Sequence, residues 1–303
     1  MKIVIAGATG FIGQPLVHEL TRSGNEVVVL TRGDSGVGPA DTRAIHWDAH
    51  TASGPWVAEL RGADAIVNLA GANIGAKRWT EGRKRELESS RIEATGAFVS
   101  AIEALGAGDR PKVLVNASGI DYYGDRGDEV ITEESSQGTG FLAQLCVRWE
   151  AAALEAERLG VRVVLLRTGV VFGQGSTALS RLALPFKLFA GGPLGSGNQW
   201  FPWIHLKDCI GLYELAIENQ AARGPINGVA PDVRREKDVA SEIGRALGRP
   251  SWAPAPAFAL RLVLGELAHL VLDGRRAEPA KALALGYQFA YPRLPEALAE
   301  TLT

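Results

Sequence analysis

Three glycines spaced three apart, directly behind a short apolar run, constrain this chain more than any other feature. Residues 2–13 read KIVIAGATGFIG. Ile3, Val4, Ile5 and Ala6 have the pattern of a buried strand, and a helical pattern runs from Gln14 to about Ser23. Between them stand Gly7, Gly10 and Gly13. Gly7 lets the backbone turn sharply off the strand. Gly10 removes a Cβ where a pyrophosphate must come close, and Gly13 lets the helix pack against the strand. Strand, tight turn and helix start make the first βα unit of a dinucleotide-binding fold. The N–H groups and positive dipole end of that helix then face the phosphates. Thr9, Phe11 and Ile12 complete the loop and join the glycines as expected cofactor contacts.

The rest of the first half repeats the unit. Glu26–Leu30, Arg43–Trp47, Ala63–Leu69, Val113–Ala117 and Val161–Leu166 read as strands, mostly apolar throughout, as in a parallel sheet covered on both faces. Helical patterns over 81–104 and 142–159 alternate with them, and Gly160 closes the second. The expected fold is α/β: a Rossmann-type, doubly wound parallel sheet with a smaller C-terminal substrate-side domain. We place the dinucleotide-binding domain at 1–173 and the substrate-side region at 174–303, interleaved with the first. That second region holds a loop at 191–198, an aromatic segment at 200–206, a helix over 208–219, a proline-rich stretch at 249–256 and an apolar helix.

Composition narrows the function. A net charge of −2 supplies no field for nucleic acid or an anionic membrane, so neither is an expected partner. Two cysteines, Cys146 and Cys209, fit a reducing compartment. The chain enters its first strand at once, which leaves no room for a signal peptide, and its best apolar run, 258–272, is broken by Arg261, Glu266 and His269. The expected location is the cytoplasm and the expected partner a small-molecule substrate. Cofactor choice rests on the end of the second strand. An NAD site usually carries a carboxylate there for the ribose 2′-OH; this chain has Thr31 and Arg32, which suit a 2′-phosphate. NADP is expected, and NAD less so. His46 and His50 lie four apart with no further ligands nearby, so no metal site is expected.

Several further segments carry a family resemblance: VNLAGANI (67–74), KRWTEGRKRELESSRIEAT (77–95), YYGD (122–125), LLRTGVVFG (165–173), GGPLGSGNQWFPWIHLKD (191–208), NGVAP (227–231) and GYQFAYP (286–292). With GATGFIG they run end to end. The chain resembles the extended, epimerase-like branch of the short-chain dehydrogenase/reductases, and within it the NAD-dependent epimerase/dehydratase-like proteins with a C-terminal domain of unknown function. Some members carry the label cell division inhibitor. The resemblance implies that Leu69, Ala70 and Gly71 line the adenosine side of the cofactor and that Val171 and its neighbours contact the nicotinamide. It also puts Glu86 and Arg91 beside the cofactor, Arg91 serving either a phosphate or ribose or a surface ion pair.

The same resemblance raises a chemical problem. Standard members carry Tyr-x-x-x-Lys on one helix, where the Lys cation lowers the Tyr pKa for proton exchange. None of the five tyrosines here has a Lys four residues on, and the expected helix reads FLAQLCVRWE (141–150). Ser118 stands at the family's Ser position. Tyr122 and Tyr123 offer phenols, or else form pocket wall. Trp200, Phe201, Trp203 and His205 form either a substrate-side wall or an interface core. Two functions remain: an NADP-dependent oxidoreductase or isomerase using Ser118 and a pocket phenol, or a non-catalytic NADP-binding sensor.

Overall fold

A computed structural model describes residues 1–302. Its elements run β1 (Lys2–Ala6), α1 (Gly13–Arg22), β2 (Glu26–Thr31), β3 (Gly36–Val37), β4 (Arg43–His46), α2 (Trp56–Leu60), β5 (Ala65–Asn68), α3 (Glu81–Glu103), β6 (Val113–Gly119), β7 (Val130–Ile131), α4 (Phe141–Leu154), β8 (Arg162–Thr168) and β9 (Val170–Phe172). There follow α5 (Thr177–Lys187), β10 (Trp200–Phe201), β11 (Trp203–His205), α6 (Leu206–Glu218), β12 (Gly224–Gly228), β13 (Arg234–Arg235), α7 (Glu236–Leu247), α8 (Ala257–Leu264), α9 (His269–Leu272), β14 (Arg276–Ala277), α10 (Ala280–Ala284) and α11 (Leu294–Leu302).

The main sheet has the order β12-β8-β6-β5-β1-β2-β4-β3 and is parallel except for the β3–β4 edge. Side-chain alternation divides its interior between two faces. Ile3, Ile5, Val27, Val29, Val67 and Val115 face α1 and α6, meeting Leu16, Val17, Leu212 and Tyr213. Val4, Val28, Leu30, Ile66 and Leu114 face the other way, toward Phe98 and Ile102 of α3 and Trp56 of α2. Trp47, Trp56 and Phe98 pack as an aromatic triad on that side. Both faces are covered, which is why the strands read as continuous apolar runs.

The chain moves outward from β1 in one direction through β2 and β4, then returns to β5 and moves the other way. This reversal is the topological switch point, where a crevice opens beyond the carboxyl ends of the strands. Residues 174–302 do not stand apart from the sheet. α6 packs on the first face, and β12 pairs with β8 as its last strand. A third cluster joins α5, α7 and α11 around Phe172, Phe201 and Trp203. No helix among the described residues is long and apolar enough to cross a membrane.

Candidate functional site

A cleft of about 380 Å³ lies at the switch point. Gly7, Gly10, Phe11, Ile12 and Gly13 form one lip, and Leu69 forms part of the facing one. Gly7 has φ +79°, and a Cβ there would lie 2.7 Å from the Leu69 backbone. A Cβ on Gly13 would lie 2.3 Å from the Gly7 carbonyl oxygen. One on Gly10 would meet only that same oxygen, at 3.3 Å. Gly7 and Gly13 are therefore glycines because backbone is pressed against them, whereas Gly10 keeps the lip bare. No side chain caps α1, and its first turn holds no acidic residue, so its dipole is left for an anionic ligand. Thr9 lies exposed in the same loop.

Arg91 reaches the cleft from α3. It is buried, lies over the Trp149 ring at 5.0 Å, and donates to the carbonyls of Leu87 (3.0 Å) and Ala72 (3.1 Å). Burial pulls its pKa down to about 10, which leaves it a cation at neutral pH. Its Nε–H has no acceptor among the described residues. A bare glycine lip, an uncapped helix start and a buried guanidinium with an open donor fit a dinucleotide's phosphates. Among the described residues Arg91 forms no surface ion pair, the other role expected for it.

At the far corner, Thr31 Oγ accepts the Gly33 N–H at 3.1 Å, and Arg32 is exposed. Two of the expected contacts do not line this cleft. Glu86 is exposed and pairs with Arg83 at 2.6 Å, a bond that, with Lys77 and Arg32 nearby, holds its carboxyl below the usual range. It is absent from the cleft wall. Val171 packs into the sheet core with Ile204 and Cys209, while Thr168 and Gly169 line the cleft in its place. Ala70 is half-buried behind Leu69, and Gly71 is exposed with a Cβ position 3.0 Å from the Arg91 guanidinium carbon.

The floor departs furthest from expectation. Ser118 lines the cleft, but its hydroxyl donates to Glu150 Oε1 at 2.6 Å. Glu150 is held in a fork by Arg167: Nε to Oε1 at 2.8 Å and Nη2 to Oε2 at 2.7 Å. Arg167 Nη1 donates to the Tyr123 hydroxyl at 2.8 Å, and Tyr123 donates onward to Asn227 Oδ1 at 2.8 Å. The Arg167 guanidinium also stacks on Tyr122, 3.4 Å from its ring centre. Tyr123 is fully buried, and burial pushes its hydroxyl up to about 12. Neither tyrosine lines the cleft: Tyr123 is tied into the Arg167 network and Tyr122 lies against the Arg167 guanidinium. The cleft face of α4 consists of Leu142, Leu145, Cys146 and Trp149. Burial drives the Cys146 thiol up to about 12, so it is no nucleophile.

His205 caps α6 by accepting the Lys207 N–H and bonds Glu300 at 3.0 Å, a structural role. Asp208, expected to start that helix, instead accepts the backbone N–H groups of Ala290 (2.6 Å) and Tyr291 (2.9 Å). Trp203 and Phe201 belong to the third core cluster.

Glu150 and Asp121 were not singled out in the sequence, and Arg167 only as part of the segment 165–173. Glu150 follows Leu142 and Cys146 at helical spacing, and Arg167 interrupts an apolar buried strand; both are usable signals. Asp121 had none. It lines the cleft and also a second cavity of about 490 Å³, which shares Thr168 and Gly169 with the cleft. Asp121 pairs at 2.9 Å with Arg275, which is buried and has no acceptor for its Nε–H among the described residues.

Comparisons agree with this geometry. Residues 3–227 match the NAD dependent epimerase/dehydratase family, and residues 255–301 match a domain of unknown function, DUF1731. An Arabidopsis thaliana protein, the chloroplastic homolog of epimerase family protein SDR39U1, is 41% identical over 98% of this chain and 86% of its own length. The crystal structure of human epimerase family protein SDR39U1 with NADPH superposes with a TM-score of 0.88 at 38% identity, covering 99% of this chain and 98% of that one. A Corynebacterium glutamicum nucleoside-diphosphate sugar epimerase gives a TM-score of 0.80 at 30% identity, covering 100% of this chain and 58% of that one.

Proposed function

Because the chain belongs to the NAD dependent epimerase/dehydratase family, we propose that it binds NADPH in the cleft and acts as an oxidoreductase or isomerase on a small molecule in the adjoining cavity. The observation that carries this reading is the shared wall: Asp121, Thr168 and Gly169 line both spaces, so two bound molecules would meet there. NADPH is preferred because Thr31 and Arg32 stand where an NAD site carries a carboxylate, and the human relative was crystallised with NADPH. A reducing compartment, the cytoplasm, suits two buried free cysteines.

NADPH, when bound, supplies hydride-transfer chemistry. The protein's own part is to hold and orient. The first turn of α1 and Arg91 would neutralise the pyrophosphate, and Arg32 the 2′-phosphate. Ser118 donates its hydroxyl hydrogen bond to Glu150, so its oxygen is free to accept a hydrogen bond from a substrate hydroxyl. Asp121, at the junction, is the group placed to exchange a proton with substrate.

The test compares NADPH and NADH binding by nicotinamide fluorescence, then follows NADPH absorbance against a carbonyl panel. Equal affinities for the two cofactors reject the NADP assignment. Oxidation that is lost in Asp121→Asn and Ser118→Ala supports the enzyme. One observation favours a second reading, a non-catalytic NADPH sensor. The cleft face of α4 presents Leu142 and Cys146, and among the described residues no phenol lines the cleft except the deeply buried Tyr213. Tight NADPH binding with no turnover across the panel would establish that alternative.

A further inference from the structure

The second cavity has walls of an unexpected kind. Leu182 and Phe186 of α5, Phe201 of β10, Val239 and Ile243 of α7, and Leu264 of α8 make it apolar. Its roof comes from residues 255–271, the start of the matched domain of unknown function, which contributes Leu260, Leu264, Leu267, Leu270 and Val271. Polar ties hold that roof to the body. Arg78 donates to the carbonyls of Leu262 and Val263, Lys84 pairs with Glu266 at 2.9 Å, and Gln199 donates to the Val271 carbonyl at 2.9 Å.

The charged groups around the cavity are unsuited to a polyanion. Two arginines, Arg181 and Arg275, face three carboxyl groups, Asp121, Asp273 and Glu236. Both guanidinium groups already have partners, and a single donor, the buried Arg275 Nε–H, is left without an acceptor among the described residues. Arg275 pairs with Asp121 at 2.9 Å and lies 3.9 Å from Asp273. Arg181 is exposed and donates to the Gly75 carbonyl at 2.7 Å. α7 starts at this wall, but Glu236 and Asp238 occupy its first turn, so its dipole already faces carboxylates. A diphosphate placed here would meet no net positive charge, since Asp121 and Asp273 balance the two arginines even where Glu236 is protonated, and would lose its water with one free donor in return.

We propose that this cavity binds a mainly apolar, uncharged small molecule with a single polar group held beside the Asp121–Thr168–Gly169 junction, a hydroxyl donating to Asp121 or a carbonyl accepting the free Arg275 Nε–H, and not a nucleoside diphosphate sugar. The roof segment at 255–271 then has a definite task, to close an apolar substrate chamber against water. The inference rests on reading the adjoining cleft as the NADPH site.

Calorimetric titration of the full-length protein, with and without saturating NADPH, tests it. The probes are decan-2-one and trans-cinnamaldehyde on one side, UDP-glucose and UDP-glucuronate on the other. Two variants locate the binding. Ala178→Trp fills the cavity mouth from an exposed position on α5, and Leu264→Glu puts a carboxylate in the roof. The expected result is saturable binding of at least one apolar probe, weakened about tenfold or more in both variants, with NADPH affinity and melting temperature of Ala178→Trp unchanged. Nucleotide-sugar binding that Ala178→Trp abolishes overturns the proposal. So does the absence of saturable apolar binding to both the free and the NADPH-loaded protein. Failure of NADPH to bind shows in its own titration and counts against the cofactor reading alone, since the free protein is tested with the same probes.

Discussion

The Ser118 hydroxyl lies 2.6 Å from Glu150 Oε1, and Glu150 is in turn gripped by the buried fork of Arg167. The serine at the cleft therefore belongs to a charged network beneath the floor. Its members differ in what their loss exposes. Ser118→Ala removes one hydrogen bond to a charged group, about 1.5–3 kcal/mol. Glu150→Leu strands the buried Arg167 cation, about 3–5 kcal/mol. Urea unfolding should rank Glu150→Leu as the more damaging. Equal losses would mean that Arg167 finds another anion or water.

Gly10 and Gly13 belong to the same loop but answer to different constraints. Gly13→Ala drives a Cβ to 2.3 Å from the Gly7 carbonyl oxygen, where nothing can yield except backbone. It should destabilise the fold and broaden or abolish cooperative melting. Gly10→Ala meets one atom at 3.3 Å, so melting should change little while NADPH affinity falls about tenfold or more. A Gly10→Ala protein that binds NADPH normally would show that the cofactor does not approach this lip.

Arg32 and Arg91 should separate the two ends of the cofactor. Arg32 is exposed, so its attraction for a 2′-phosphate is screened by salt. Arg32→Ala is expected to weaken NADPH about tenfold or more, leave NADH unaffected, and lose its effect at high ionic strength. Arg91 is buried at the cleft. Arg91→Met should weaken both cofactors alike, and with less dependence on salt. Matching titrations at low and high salt check both statements.

Glu236 sets a pH dependence of stability. Burial raises its carboxyl to about 7, although it accepts the Leu194 N–H at 2.9 Å. Its folded pKa lies above the unfolded value of about 4.5, so the native state holds this proton longer than the unfolded chain does. The group's contribution is full below pH 4.5 and is lost as pH rises through 7. Glu236→Gln keeps an acceptor for Leu194 without the titration. It should stabilise the protein at pH 8, by at most about 3 kcal/mol, with the gain vanishing near pH 4.5. A pH-independent difference would mean that Glu236 is not desolvated in solution.

The sequence alone determined the parts that depend on near neighbours. Apolar runs marked the parallel strands, Gly7, Gly10 and Gly13 marked the first turn, and the missing Tyr-x-x-x-Lys was plain from spacing. These features involve residues within a few positions of one another, where backbone sterics and periodicity act directly. What Ser118 bonds to was decided elsewhere. β6, α4, β8, the turn before β7 and β12 each contribute one member of the network that runs from Ser118 through Glu150, Arg167 and Tyr123 to Asn227. The pair Asp121–Arg275 joins residues separated by about half of the chain. Val171 and Gly169 show how fine the decision is, since both follow β8 and only one faces the cleft. Such pairings depend on strand order, helix rotation and register, which packing of the whole sheet sets and which spacing along the chain does not encode.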